Sequence, residues 1–309
     1  MLRSTLISLA NQSLPSHAYE VVVVDDGSSD STQSITQDTY PYQLRVIYQN
    51  NQGSATARNR GVAESRGDLL VFLDDDMLLE KDYLAGLSEI HQHAPQVVGM
   101  GTSLPYMTDV ASLYEKVTYQ DRVAELTVDG KVSFTACVTN NLSISKNDFY
   151  SIGQMQDVAG DGPAWWGDVD FGYRAWQNGL EFRCSRKAIC YHNDYSTRSL
   201  NSVCQRAYKV SKMVLVLEKK YPGIIDHLPM FRDMQPIVWK KDSPGLVVRK
   251  IMRRISAARW VEALMRILVA WFEHHRPTPA ILKPLYRWIT GAYISRGYRQ
   301  GLREIQISE

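Results

Sequence analysis

The segment Asp68-Leu69-Leu70-Val71-Phe72-Leu73-Asp74-Asp75-Asp76 restricts the fold more than any other stretch of the chain. An unbroken apolar run ends in three consecutive carboxylates. A short run of this kind, bounded by acids, predicts a buried strand rather than a helix. In an open α/β sheet, ligands gather where strands finish at their carboxyl ends. Side chains two apart on an extended backbone point the same way. Asp74 and Asp76 are therefore placed to converge on one object while Asp75 turns aside. Two hard oxygen donors at a strand end suit Mg²⁺ or Mn²⁺, above all where substrate phosphates complete the shell. The plain alternative is a solvated acidic turn.

The neighbouring segments extend this pattern. Tyr19-Glu20-Val21-Val22-Val23-Val24 is a β-branched run that predicts a second buried strand, and it too ends in acids, Asp25-Asp26, followed by Gly27-Ser28-Ser29-Asp30. Residues 1–12 carry Leu2, Leu6 and Leu9 at helical spacing. Further strands are expected over 44–49, 97–101, 134–145 and 181–192, with helices over 54–66, 81–93 and 168–178. Strands and helices alternating at these intervals predict an α/β fold, a Rossmann-like and mainly parallel sheet flanked by helices. From about residue 196 the pattern becomes helical and basic, which divides the chain into 1–195 and a helical appendage, 196–309.

Charge separates the same two parts. The formal net charge of +2 comprises 15 basic against 25 acidic side chains over residues 1–200, and 20 against 8 over 201–309. An acidic front half suits metal-dependent chemistry. A basic tail half suits an anionic neighbour, and in 254–272 apolar residues (Ile255, Val261, Leu264, Leu268, Phe272) alternate with a polar stripe of Arg259, Glu262 and Arg266. An anionic membrane surface fits that pattern. So does ordinary packing on the rest of the chain. No nucleic-acid motif accompanies the charge. No run approaches the roughly 18 apolar residues of a membrane span, and the four cysteines lack metal-ligand spacing. These features point to a cytoplasmic protein, peripheral on the inner face of the plasma membrane where the tail engages lipid.

Four motifs stand in order: Val-Val-Asp-Asp-Gly-Ser after a strand, Gly-Ser-Ala-Thr-Ala-Arg-Asn-Arg-Gly opening a helix, Leu-Asp-Asp-Asp, and Trp-Trp-Gly-Asp-Val-Asp-Phe-Gly-Tyr-Arg. Over about residues 1–220 this ordered set resembles the inverting family 2 glycosyltransferases of the GT-A fold. The resemblance implies a UDP-, GDP- or dTDP-sugar donor, a glycan or lipid-linked acceptor, and a role in bacterial glycan or exopolysaccharide assembly. It implies donor binding by Asp25, Asp26, Arg58, Asp74, Asp75 and Asn141. It also implies metal ligation by Asp76 with Asp74 and His192. Asp168 resembles the family's general base, with Asp170 as the alternative, and Trp165 and Trp166 resemble an acceptor platform.

Each residue also has a structural reading: Asp168 and Asp170 suit a helix N-terminus, Asn141 a turn, and the tryptophans a core. Two departures stand out. Gly167 occupies a position where the family often carries Glu. A first strand that the family places before the Leu2–Gln12 helix is not found, so this chain is expected to be a fragment or to have an upstream start. A nucleotidyltransferase of similar fold and a non-catalytic nucleotide-sugar-binding or membrane-scaffolding protein are the alternatives.

Overall fold

The computed structural model describes residues 1–30, 32–35, 38–158, 166–275 and 278–308. The chain divides into two compact units, one of residues 1–106 with 121–193 and one of residues 107–120 with 194–309.

The first unit begins with α1 (Leu2–Ala10), β1 (Glu20–Asp25), α2 (Thr32–Ile35), β2 (Gln43–Tyr48) and α3 (Ser54–Glu64). It continues with β3 (Leu69–Leu73), β4 (Met77–Leu79), α4 (Tyr83–His93) and β5 (Val97–Pro105). After α5 (Leu113–Leu126) come β6 (Gly130–Lys131), β7 (Asn141–Ser145), α6 (Lys146–Ser151), α7 (Gly167–Gln177) and β8 (Glu181–His192). β1 and β2 pair in parallel as a sheet of their own. The larger sheet runs β3-β7-β5-β8-β4, with β6 on β8. β3, β5 and β8 share one direction, because β7 is antiparallel to both β3 and β5, and β5 is parallel to β8. β4 and β6 run against β8. The sheet is thus mixed, and no ladder joins β1 to β3 among the described residues.

The all-apolar strands are explained by cover on both faces. Val21 and Val23 of β1 and Val71 and Leu73 of β3 pack with Leu2, Leu6 and Leu9 of α1 and Leu84 and Leu87 of α4. The alternate residues face the other way: Val24 lies against Gly61 of α3, and Phe72 against Phe149 of α6, which in turn meets Phe171 of α7. The period of two in each strand decides which helix each residue meets. Glu20 of β1 accepts hydrogen bonds from the backbone N–H groups of Arg66 and Gly67, tying β1 to the entry of β3.

Two expectations need correction here. The 134–145 segment is a strand only over β7. Its first part is a 3-10 turn, Phe134–Ala136, capped by the Ser133 hydroxyl. The strand through Asp76 stops at Leu73, and the acids occupy a turn into β4. Like charges in adjacent positions favour such a solvated break over continued pairing.

The second unit is helical: α8 (Leu200–Lys220), α9 (Pro229–Arg232), α10 (Pro244–Ser256), α11 (Arg259–His275) and α12 (Pro279–Ser308). A Ser199–Ser202 capping box starts α8. α8 runs closely along α12 because Gly297 and Gly301, one turn apart, leave room for its backbone. A Cβ on either would lie 2.2–2.4 Å from the carbonyl oxygens of Tyr208 and Lys212. Val117, Leu200, Cys204, Val269, Leu282, Tyr286 and Ile289 form the core. The expected continuous helix through 254–272 is broken at Ala257–Ala258, and of its polar stripe Glu262 and Arg266 face inward while Arg259 is exposed. Glu262 accepts from Arg266 Nε at 2.6 Å and pairs with Arg296 of α12. Among the described residues, no helix is long and apolar enough to cross a membrane.

Candidate active site

All the described candidate residues of the site lie in the first unit, at or near strand ends. β3 delivers the acid triplet, and β4 then pairs antiparallel with β8, setting Met77 opposite His192. That pairing brings Asp74, Asp76 and His192 together, with one ligand atom of each within 4.8 Å of the others. His192 Nε2 lies 3.3 Å from Asp76 Oδ1. That oxygen is buried and has no hydrogen-bond partner. An orphaned carboxylate oxygen beside a second carboxylate and an imidazole is costly in a protein without a cation. Two hard oxygens and one nitrogen fit Mn²⁺ or Mg²⁺, the nitrogen favouring Mn²⁺. Asp75 is the solvent-exposed member, and its backbone carbonyl accepts from the Thr5 hydroxyl at 2.8 Å, which fixes the turn to α1. Its carboxyl is pushed up by local desolvation and by the Asp76 and Asp74 charges.

Arg58 reaches in from α3 and pairs with Asp74, Nη2 to Oδ1, at 2.8 Å. It also acts electrostatically on Asp168, which lies in the first turn of α7. Burial pushes the Asp168 carboxyl up. The Thr139 hydroxyl, donating to Oδ1 at 2.5 Å, and the Arg58 charge act in the opposite direction. A carboxylate raised in this way is a stronger base than a solvated one. Asp170, the alternative base, has 0% exposure and is paired with Arg174 at 2.8 Å. Arg174 also donates to the carbonyls of Ile152 and Gln154, so this pair fastens α7 to the preceding loop. Trp166 precedes α7 in a left-handed conformation, φ 73°. Such backbone costs a non-glycine residue about 1 kcal/mol or more and is concentrated at functional sites. Trp165 lies outside the described residues.

Asp25 is buried at the end of β1, and its Oδ1 accepts from Ser28 N–H at 2.7 Å. Asp26 accepts from Gln49, from the Gln52 N–H and from the Gly53 N–H at 2.8–2.9 Å. Slight desolvation works against the Asp26 carboxylate, and the three hydrogen bonds outweigh it and bring its pKa down. Asp26 thus ties the end of β1 to the loop that opens α3.

Asn141, the remaining candidate for donor binding, sits inside the sheet. It is fully buried, donates to Gly101 O at 2.6 Å, and accepts from Gly101 N–H at 3.1 Å and the Tyr83 hydroxyl at 2.5 Å. Its amide, 0% exposed, joins β7 to β5 and α4. The preceding Asn140 lies beside the cluster instead, with Nδ2 3.3 Å from His192 Nδ1 and a buried, unpartnered Oδ1. Sequence reading also missed Thr139. Thr139 lies in the turn that leads into β7, closed by Asn141 N–H to Val138 O, where strand alternation does not fix which way a side chain points.

The sheet, its flanking helices and the acids at its strand ends define a GT-A-type α/β fold. Comparison with known proteins agrees. Residues 1–130 match the family model described as Glycosyl transferase family 2. Validoxylamine A glucosyltransferase of Streptomyces hygroscopicus subsp. limoneus is 30% identical over 219 residues, covering 61% of this chain and 48% of that protein. Glycosyltransferase AglE of Haloferax volcanii is 26% identical over 217 residues, 68% of this chain and 67% of that protein. The structure of mannosyltransferase PcManGT from Pyrobaculum calidifontis, in complex with GDP-Man and Mn²⁺, superposes with TM-score 0.61 at 16% identity, over 98% of this chain and 83% of that one. S. aureus TarS 1-349 in complex with UDP-GlcNAc gives 0.50 at 16% identity, over 97% and 88%. The two structures speak to the fold. Residues 1–130 of the chain are thus similar to family 2 glycosyltransferases. The chain spans about half the length of the validoxylamine A glucosyltransferases it matches.

Proposed function

We propose that this chain is a metal-dependent, inverting glycosyltransferase that moves a sugar from a nucleoside-diphosphate sugar to an acceptor hydroxyl. The observation that carries the reading is the orphaned Asp76 oxygen grouped with Asp74 and His192, with Arg58 acting on both Asp74 and the buried Asp168. Asp74, Asp76 and His192 would hold Mn²⁺ or Mg²⁺, which when bound offsets the charge of the departing diphosphate. Asp168 takes the proton of the acceptor hydroxyl as its oxygen attacks the anomeric carbon. The new C–O bond forms opposite the breaking bond to the diphosphate, and the configuration inverts. A base so placed contributes roughly 10²–10⁴-fold. Thr139 holds the Asp168 carboxyl in one orientation, and Arg58 keeps Asp74 from drawing on the same proton.

Asp25, Asp75 and Trp166 are offered as the contacts to nucleotide and acceptor. Asp26 acts on the nucleotide indirectly, through the 49–53 loop that it holds. The acceptor is a glycan or lipid-linked hydroxyl, and glycan assembly at the inner face of a cell membrane suits a chain with a basic second half. Relatives support the donor class: PcManGT was solved with GDP-Man and Mn²⁺, and TarS with UDP-GlcNAc.

The test is product analysis with UDP-, GDP- and dTDP-sugars and a panel of hydroxyl acceptors, with and without Mn²⁺. Release of nucleoside diphosphate and a product of inverted anomeric configuration are expected. Release of inorganic diphosphate would replace this reading with a nucleotidyltransferase.

A further inference from the structure

The helices α10 and α11 are amphipathic in the reverse sense for a solvated surface. On α10, Val248, Ile251, Met252 and Ile255 stand at i, i+3, i+4 and i+7, and all four are exposed. On α11, Trp260, Leu264, Ile267 and Trp271 stand at i, i+4, i+7 and i+11, again all exposed, Trp260 and Ile267 at 66% each. Such spacing makes one continuous stripe per helix. The opposite faces carry the buried Leu246 and Ser256 of α10 and Val261 and Val269 of α11. Apolar stripes of this size on a folded protein mark a surface that is covered in use.

Charge identifies the cover. Residues 240–275 hold eight basic and three acidic side chains. The three acids are engaged within the unit: Asp242 with Lys250, Glu262 with Arg266 and Arg296, Glu273 with the Tyr286 hydroxyl. Arg249, which pairs with Asp233, and Arg254 stand on α10 roughly 100° to either side of its stripe, given 100° per residue. Trp239, 75% exposed, precedes α10 beside Lys240 and Lys241. Arg299 of α12 adds a second, independent observation. One of its terminal nitrogens is buried without a hydrogen-bond partner. Desolvation, together with the charges of Arg254 and Arg303, lowers its pKa. Crowded guanidinium groups with an unmatched donor are a seat for a phosphate.

We propose that the outward face of α10 and α11 lies on an anionic phospholipid bilayer, with Arg254, Arg299 and Arg303 receiving a lipid phosphate beside the apolar stripe. Tryptophan at the edge, aliphatic residues within and arginine at the rim match the interfacial zone of a membrane. A second copy of this chain fits poorly, because a self-complementary contact would bring the same arginines against one another. Nucleic acid would leave the stripes exposed. The proposal goes beyond the sugar-transfer reading and does not depend on it.

The experiment is co-sedimentation of the full chain with vesicles of phosphatidylcholine alone and of phosphatidylcholine with phosphatidylglycerol. Nucleotide binding and circular dichroism are followed in parallel for every variant. The wild type is expected to pellet with the anionic vesicles and to release as salt rises. The double variant Trp260→Glu, Ile267→Glu should bind more than tenfold more weakly. Arg299→Gln should lose about fivefold, on anionic vesicles only. No pelleting with a folded wild type, or equal binding to both vesicle types, would overturn the proposal. So would a wild-type dimer that the double variant dissociates without change in vesicle binding. Nucleotide binding retained in each case would leave the transfer reading intact, so the two fail separately.

Discussion

The two units handle charge in opposite ways. In the first, like charges are brought together: Asp74, Asp75 and Asp76 follow one another at a strand end, and a buried Asp76 oxygen is left without a donor. In the second, opposite charges are paired inside while apolar side chains face outward: Glu262 lies between Arg266 and Arg296, and Trp260 and Ile267 are exposed. Neither arrangement is the most stable for an isolated chain. Crowded acids are relieved by a cation, and an outward apolar stripe is relieved by an apolar phase. The lesson is to look for what completes a region where its own groups do not. Ion pairs such as Asp170–Arg174 are complete, and they mark scaffold.

The comparison can be broken first at Asp76. Asp76→Ala should lower transfer by about three orders of magnitude, since several kcal/mol of leaving-group stabilisation is lost. It should also abolish metal-dependent nucleotide binding without lowering Tm, as measured by product assay and calorimetry. A drop in Tm comparable to a core mutation would place Asp76 among the scaffold acids.

Arg174→Ala is the counterpart in a completed pair. It removes the ion pair of the fully buried Asp170 carboxylate, and unfolding should become easier by about 3–5 kcal/mol. Denaturant titration reads this directly, and a loss under 1 kcal/mol would show that Asp170 is reached by water.

Asp168→Asn separates chemistry from stability. The turnover number should fall roughly 10²–10⁴-fold with nucleotide binding retained. Burial raises Asp168 in the fold above its ordinary value, so the fold holds that proton more tightly than the unfolded chain. Stability is therefore lost as pH rises from the unfolded to the folded pKa, and the ionised form continues to cost stability above it. The Asn variant should be more stable than wild type at neutral pH, and the difference should fade as pH falls below the usual carboxylate range. In the wild type, activity should fall on the acid side at a pH above that range.

The smallest contrast sets two adjacent residues against each other. Asn141→Ala removes both partners of the Gly101 peptide groups and that of the Tyr83 hydroxyl, and about 2–4 kcal/mol of stability should go with them. Asn140→Ala should leave the unfolding free energy within about 0.5 kcal/mol and reduce activity instead. Equal effects would erase the distinction drawn between them.

Much of the first unit could be read from its residues. The Val21–Val24 run and the Leu69–Leu73 run are unambiguous because both faces of each strand are covered, and the acids that end them are visible in the sequence. Alternation suggested that Asp74 and Asp76 converge, and the resemblance suggested His192, but the acids lie in a turn and meet His192 because β4 pairs with β8, which no local pattern announces. Asn141 and Asn140 were not separable, since a difference of one residue in register exchanges their faces. The facing of the α10–α11 tail stayed open for a related reason. An amphipathic pattern shows that a helix has two faces and is silent on which one turns inward. Tertiary packing against α12 decided that, and it chose the face bearing Glu262 and Arg266.

The measurement that bears most directly on the central claim is Mn²⁺ binding followed by electron paramagnetic resonance, with UDP, GDP or dTDP present. Wild type, Asp76→Ala and His192→Ala would be compared. The account predicts loss of the free-ion signal at stoichiometric Mn²⁺ with one nucleotide. Asp76→Ala should restore the full signal, and His192→Ala should weaken binding. An unchanged free-ion signal with folded wild type and every nucleotide would contradict it.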